Sequence, residues 1–202
     1  MNSDIIVLDD FLPKSFVERY QQKVMADDFK WFYLDNITRN MSPREYNCKG
    51  IEWDETDGLS HSIFFDAKWY DPYWCLQYSV FICEAMSQKT GIDYDTLYRM
   101  KLNQTLSKGH ELINMPHIDN AHPHTVLLYY VNDSDGDTIL YDNLWDPSHD
   151  NTDVELKVLQ RITPKAGRAV IFNGLRYHSS TNPINSKKRI ALNINLGHSY
   201  EQ

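Results

Sequence analysis

Arg189-Ile190-Ala191-Leu192-Asn193-Ile194-Asn195-Leu196 alternates strictly, with large apolar residues at the even positions and Arg189, Ala191, Asn193 and Asn195 at the odd ones. Side chains on an extended chain point to opposite faces in turn, so this run predicts a strand with one face in hydrocarbon and the other turned toward something polar. A guanidinium on that second face has a planar fork of donors that can hold a carboxylate through two parallel hydrogen bonds. A surface strand with a salt-bridged arginine would show the same pattern, so its neighbours in the sequence decide the reading.

Upstream of that run the chain has the same texture. Short β-type segments cover Tyr98 to Leu106, Thr125 to Val131, Thr138 to Tyr141, Val158 to Ile162 and Ala169 to Phe172. Turn formers such as Asp133-Ser134-Asp135-Gly136, Pro164-Lys165-Ala166-Gly167 and Asn182-Pro183 separate them, as expected of a sandwich, jelly roll or barrel. The first half differs. An apolar stretch from Asp4 to Leu8 is broken at Asp9-Asp10-Phe11-Leu12-Pro13, and helical spacing follows through about Met25. Asp71-Pro72 opens a second helix, in which Trp74, Tyr78, Phe81, Ile82, Ala85 and Met86 recur until Thr90-Gly91 stops it, and these are core residues covering a sheet face. Residues Trp31 to Trp69 read as short strands and loops.

The triplet His117-Ile118-Asp119 places an imidazole and a carboxylate on the same side of an extended segment, where both can reach one ion. His178 follows the strand-like run Ala169 to Phe172 and supplies a third ligand. Two histidines and one carboxylate make the facial triad that holds iron(II) and leaves positions open for reaction. On residues alone, two other readings stand beside this one: a jelly-roll metalloenzyme of cupin type using zinc or manganese, and a binding module without catalysis. The remaining histidines are expected in solvent or in loop hydrogen bonds, although His122, His124 and Arg176 lie near enough in sequence to the ligands to contact substrate.

These motifs resemble the 2-oxoglutarate/Fe(II)-dependent oxygenase superfamily, in its prolyl 4-hydroxylase-like branch with the small phage-encoded hydroxylases. The likeness runs in order through Arg99-Met100-Lys101-Leu102-Asn103, His117-Ile118-Asp119, Leu128-Tyr129-Tyr130-Val131-Asn132 and Asp135-Gly136-Asp137-Thr138. It continues through Thr163 to Phe172, His178 and Arg189 to Asn193, and the opening Asp9-Asp10-Phe11-Leu12-Pro13 extends it over most of the chain. It implies a mainly β fold with flanking helices, a double-stranded β-helix or jelly roll. One domain, 1–202, would have residues 1–97 supporting a catalytic core at 98–198.

The resemblance further implies iron(II) held by His117, Asp119 and His178, with 2-oxoglutarate and O₂ as co-substrates and hydroxylation of an organic substrate as the outcome. Arg189 and Tyr130 would meet the distal carboxylate of 2-oxoglutarate, while Asn103 and Asn195 line the co-substrate or substrate pocket. Alternation puts Lys101, Asn103 and Thr105 on one face. Halogenating relatives need a small residue where Asp119 stands, so hydroxylation is expected. The substrate class implied is a protein side chain, prolyl-like, or an amino-acid-like small molecule. Two departures stand out: Asp135-Gly136-Asp137-Thr138 occupies a place where two glycines are common, and Ser107 stands where prolyl hydroxylases carry a tyrosine.

Composition bounds the remainder. A formal charge of −8 with dispersed basic residues argues against non-specific nucleic-acid binding. Three cysteines without close pairing suit reduced thiols. The N-terminus has no basic, apolar leader pattern and no run approaches about eighteen apolar residues, so no membrane association and a cytoplasmic location are expected, in a phage or bacterial setting. The acidic stretch Asp142 to Asp153, with its one Trp, reads as a lid or as a solvated loop. As a lid, its charge would favour a cationic or neutral substrate.

Overall fold

A computed structural model of the chain describes residues 5–38, 47–65, 67–70, 73–146, 148 and 153–197. In chain order the elements are β1 (Ile5–Leu8), α1 (Lys14–Val24), β2 (Phe32–Leu34), β3 (Asn47–Lys49), β4 (Gly58–Phe65), β5 (Lys68–Trp69), α2 (Tyr73–Thr90) and β6 (Thr96–Leu106). There follow β7 (Thr125–Tyr130), β8 (Thr138–Leu144), β9 (Asp153–Glu155), β10 (Val158–Ile162), β11 (Ala169–Asn173), β12 (Arg176–Ser180) and β13 (Lys188–Gly197).

An eight-stranded sheet runs β1-β11-β7-β13-β6-β4-β2, with β5 on β4, and opposite it lies a three-stranded sheet, β10-β8-β12. Every pairing in these two sheets is antiparallel. The fold is therefore a jelly roll, one of the three architectures that the short strands allow and the one that the resemblance implies. The short pair β3-β9 is parallel.

Helices α1 and α2 cover the outer face of the large sheet. The even residues of β13 (Ile190, Leu192, Ile194 and Leu196) and of β6 (Met100 and Leu102) meet Tyr20, Val24, Ile82, Cys83 and Met86 there, all essentially without solvent exposure. Rings knit the two helices together, with Tyr20 stacked on Tyr78 at 5.2 Å and Phe16 against Tyr78 at 4.9 Å. Each such side chain contributes roughly 1.5–3 kcal/mol on burial. Phe81 is the exception among the expected core residues of α2. It is half exposed and leans on Phe16. The helix ends as expected, with Gly91 in the left-handed region at φ 72° and its N–H donating to Ser87 O. Its opening dipeptide, Asp71-Pro72, lies outside the described residues.

The opening motif has a structural role. Asp9 accepts two bonds from Arg168, at 2.7 and 2.9 Å, which fastens the turn before β11 to the N-terminal segment. The Arg168 bond and charge hold the Asp9 carboxyl below its usual range. Beyond the expected strands, β4 is an eight-residue member of the large sheet where only short pieces were anticipated. Likewise, β12 forms on residues that no predicted strand covers. All three cysteines are free and buried. No described helix is long and apolar enough to cross a membrane.

Candidate active site

Between the sheets, the inward residues of β6 and β13 form a polar wall. The register sets Arg189 opposite Thr105, Ala191 opposite Asn103, Asn193 opposite Lys101 and Asn195 opposite Arg99. Directly opposed residues share a face, so the alternation that buries Leu192 and Ile194 under the helices projects these polar groups inward.

His117 and His178 meet as a bridge pair. Each backbone N–H donates to the other's carbonyl at 2.9 Å, which sets the two rings side by side with centroids 4.7 Å apart. Asp119, two residues on, brings Oδ1 to 3.8 Å from His117 Nε2 and 3.9 Å from His178 Nε2. The three candidate ligand atoms lie within 4.8 Å of one another. Nδ1 of His117 lies 2.9 Å from Met115 O and that of His178 lies 3.0 Å from Arg176 O. A carbonyl only accepts, so both Nδ1 atoms carry the proton and both Nε2 lone pairs are directed at the cluster. Burial, reinforced by the charge of His178 and partly opposed by Asp119, pushes His117 down to about 4, which leaves a neutral imidazole ready to ligate.

The Asp119 side chain has no solvent exposure. Its Oδ1 pairs with Arg99 Nη2 at 2.5 Å, while Oδ2 accepts from Asn193 Nδ2 at 2.9 Å and Asn195 Nδ2 at 2.8 Å. Burial would raise its pKa, yet the charges of Arg99, His178 and His117 and the Asn193 bond outweigh that and hold it well below the usual carboxylate range. A permanently ionised carboxylate beside a neutral imidazole fits a divalent metal taking nitrogen and oxygen donors.

The second pole lies at the head of β13. Arg189 is 4% exposed and its Nη2 donates to Thr138 Oγ1 at 2.7 Å, the same atom that receives the Tyr130 hydroxyl at 2.7 Å. Its guanidinium carbon sits 5.4 Å from the Tyr130 ring centre. Nε of Arg189 and the hydroxyl of Thr105 are buried without a hydrogen-bond partner, and no carboxylate among the described residues pairs with Arg189. The acid whose field reaches it, Asp137, is engaged by Arg161 and Thr163. Burial lowers the Arg189 pKa, with Tyr130 and Asp137 opposing. A buried, unpaired guanidinium is costly unless an anion arrives. One cavity is lined by His117, His178, Asn103, Thr105, Thr138 and Arg189, so the metal cluster and the cation share a chamber.

The other expected residues fall as follows. Asn103 lines the chamber, whereas Asn195 is bonded to Asp119 and to Asn193 Oδ1, which makes it an orienting group for the carboxylate. His122 is exposed. His124 is buried with Nδ1 on His122 O at 2.7 Å. It packs so tightly on Gly174 that a Cβ there would lie 2.1 Å from Nε2, so glycine is required. Arg176 is buried and donates to the carbonyls of Tyr141 and Asp142. Of the acidic stretch 142–153, the first three residues complete β8 and Trp145 packs half-buried beside Ile118, Tyr141 and Tyr177. Residues 147 and 149–152, and the lid expectation with them, lie outside the described residues.

Sequence reasoning assigned no role to Arg99, Thr138 or Asn193. Arg99 and Asn193 share the parity of Lys101 and Asn195, a signal that alternation could have supplied. Thr138 carries none, because its partners come from the opposite sheet.

The fold is that of the 2-oxoglutarate/Fe(II) oxygenases, whose solved structures this chain resembles. It is similar to a 2OG-Fe(II) oxygenase family oxidoreductase from Burkholderia pseudomallei, with TM-score 0.63, 9% identity and coverage of 99% of this chain and 90% of that one. It is also similar to a Trichoplax adhaerens prolyl hydroxylase in complex with a hypoxia inducible factor peptide fragment (TM-score 0.57, 17% identity, 97% and 84% covered). A third similar structure is the α-ketoglutarate-dependent epimerase SnoN of nogalamycin biosynthesis (TM-score 0.60, 10% identity, 96% and 78% covered). No family model matches the sequence, and no curated protein matches it.

Proposed function

We propose that this chain is an iron(II)- and 2-oxoglutarate-dependent oxygenase that hydroxylates an organic substrate, either a prolyl-like protein side chain or an amino-acid-like small molecule. One observation carries the reading: a His-Asp-His donor set and a buried guanidinium without a counter-anion face the same chamber. A zinc or manganese enzyme of cupin type would have no use for the second pole, and a plain binding module none for the first.

Iron(II) with 2-oxoglutarate and O₂ supplies C–H oxidation coupled to oxidative decarboxylation of the co-substrate to succinate. The protein's part is binding and orientation. His117, Asp119 and His178 would hold the metal on one face. Asn193 and Asn195 fix Oδ2 of Asp119, and the two Nδ1–H bonds fix the imidazole planes, so little reorganisation is needed on loading. Arg189 would take the distal carboxylate bidentately, with Tyr130 and Thr138 holding the fork in place and Thr105 offering a further hydroxyl. A carboxylate at the Asp119 position, which blocks the open site halogenation requires, supports hydroxylation. The epimerase among the similar structures shows that the fold by itself does not set the outcome.

The test is anaerobic addition of iron(II) and 2-oxoglutarate to metal-free protein, monitoring the weak visible charge-transfer band of chelated 2-oxoglutarate, with Arg189→Ala alongside. The band should appear and should need far more 2-oxoglutarate in the variant. Absence of both iron and 2-oxoglutarate binding up to millimolar concentrations would return the chain to the other readings.

A further inference from the structure

On the far side of Asp119 from Arg189, the polar wall opens into a second cavity of about 550 Å³, lined among others by Arg99, Lys101, Ser60, Ser62, Tyr33 and Phe65. Ile37 borders both cavities. Lys101 projects from the middle of this wall, level with Asn193 on one side and Ser62 on the other.

Lys101 is half-buried and, alone among the wall's charged groups, makes no hydrogen bond or ion pair among the described residues. Arg99 is committed to Asp119 Oδ1, and Asp119 accepts from Arg99, Asn193 and Asn195. Among the described residues, the one carboxylate lining this cavity, that of Asp35, belongs to an exposed residue. The side chains of Ser60 and Ser62 are likewise without hydrogen bonds among the described residues, so their hydroxyls can donate. Burial, with the repulsion of Arg99 added and only partly relieved by Asp119, pushes the Lys101 ammonium down to about 8. A cation kept in such a place is destabilised until an anion reaches it. The outer walls differ: Tyr33 is 66% exposed and Phe65 53%, large surfaces that apolar atoms of a ligand would cover.

We infer that Lys101, with the hydroxyls of Ser60 and Ser62, receives a carboxylate on the primary substrate, whose apolar part lies against Tyr33 and Phe65. Resting on the oxygenase reading, this narrows the substrate to a small carboxylic acid of amino-acid type. It also reverses the preference for cationic or neutral substrates that the acidic 142–153 stretch suggests, because the described walls next to the metal ligands carry cations.

The test uses matched probes: free L-amino acids and their N-acetyl derivatives, each beside its carboxamide. Stimulation of 2-oxoglutarate-dependent O₂ uptake is measured for the wild type, Lys101→Met and Lys101→Arg. Only acids should stimulate. Lys101→Met should raise the KM of the best acid at least about tenfold, the worth of one charge-assisted hydrogen bond, without changing that of its amide. Lys101→Arg should restore the preference for the acid. Equal response to acid and amide, an unchanged KM in Lys101→Met, or no stimulation by any acid would each overturn the inference.

A second readout needs no turnover. In ¹³C-lysine-labelled protein, the Lys101 resonance, assigned by its loss in Lys101→Met, should shift and titrate at higher pH with the acid probes and stay put with the amides. A resonance indifferent to every acid sinks the proposal. If instead iron and 2-oxoglutarate fail to bind while this resonance responds, the oxygenase reading fails and the anion site stands.

Discussion

The two faces of the strand pair β6-β13 are built from interleaved residues of the same segments and do opposite work. The outward face presents Met100, Leu102, Leu192 and Ile194 to two helices and excludes water entirely. Inward, Arg99, Lys101, Asn103, Arg189, Asn193 and Asn195 hold two arginines, a lysine and three amides against an ionised carboxylate and an open chamber. Apolar burial on one side stabilises the fold by several kcal/mol per few residues, and that surplus allows the other side to keep charges half-desolvated and incompletely paired. Activity and stability are thereby separated by a single pleat.

That separation can be broken most severely at Asp119. Asp119→Ala removes a proposed metal ligand and takes from half-buried Arg99 the carboxylate it pairs with. Iron(II) affinity should fall by more than the roughly 10–100-fold typical of losing a mere outer partner, with about 3–5 kcal/mol of stability lost as well. Metal titration and urea unfolding of the metal-free protein read the two effects, and a variant that keeps full turnover would end the ligand assignment.

Next come two substitutions on one strand, three residues apart in sequence but on opposite faces. Arg189→Ala should weaken 2-oxoglutarate by about 2–5 kcal/mol, and Arg189→Lys should recover only part of it, because a point charge lacks the fork. Leu192→Ala should cost about 2–5 kcal/mol in unfolding free energy while leaving 2-oxoglutarate affinity as it was. Equal damage by both to folding and to affinity would show that the faces are not independent.

The smallest effect is expected from acid. His117 drops from its ordinary 6.5 to about 4 on folding, so between those values the unfolded chain binds a proton that the folded chain refuses. The stability contribution is complete above about 6.5 and is lost as pH falls toward 4. Asp119, held well below its ordinary 3.8, keeps its contribution until the pH falls below that value and loses it as protonation is forced at still lower pH. Urea midpoints of metal-free protein should fall first through the histidine window and again in stronger acid. His117→Gln should shrink the first step, to which buried His124, also held below its ordinary value by desolvation, contributes the remainder, and a flat profile between pH 6.5 and 4 would contradict a neutral His117.

Much of this was legible in the sequence, because local chemistry carries it. Period-two alternation identified β13 and both its faces, turn formers bounded most strands of the roll, and the spacing of His117-Ile118-Asp119 marked two candidate ligands. The stretch 58–65 was harder. Its Gly-Leu-Ser-His-Ser-Ile-Phe-Phe pattern breaks period two, because a bulge between Ser62 and Phe64 shifts its register against β6. Strand β12 was missed as well: Arg176, Tyr177, His178 and Ser179 are all buried, so no polar face betrays an alternation.

By itself, then, the sequence determined which residues could ligate, which face of each central strand would be polar, and that the strands build a sandwich, jelly roll or barrel, since these follow from covalent order and the pleat. Only the tertiary structure decided the pairings between distant segments. It placed His178 opposite His117, tied Arg99, Asn193 and Asn195 to Asp119, set Thr138 beneath Arg189 and Tyr130, and left Lys101 without a partner among the described residues. The physical reason is that hydrogen bonding and desolvation depend on where separate strands meet in space, and no period along one strand encodes its neighbours.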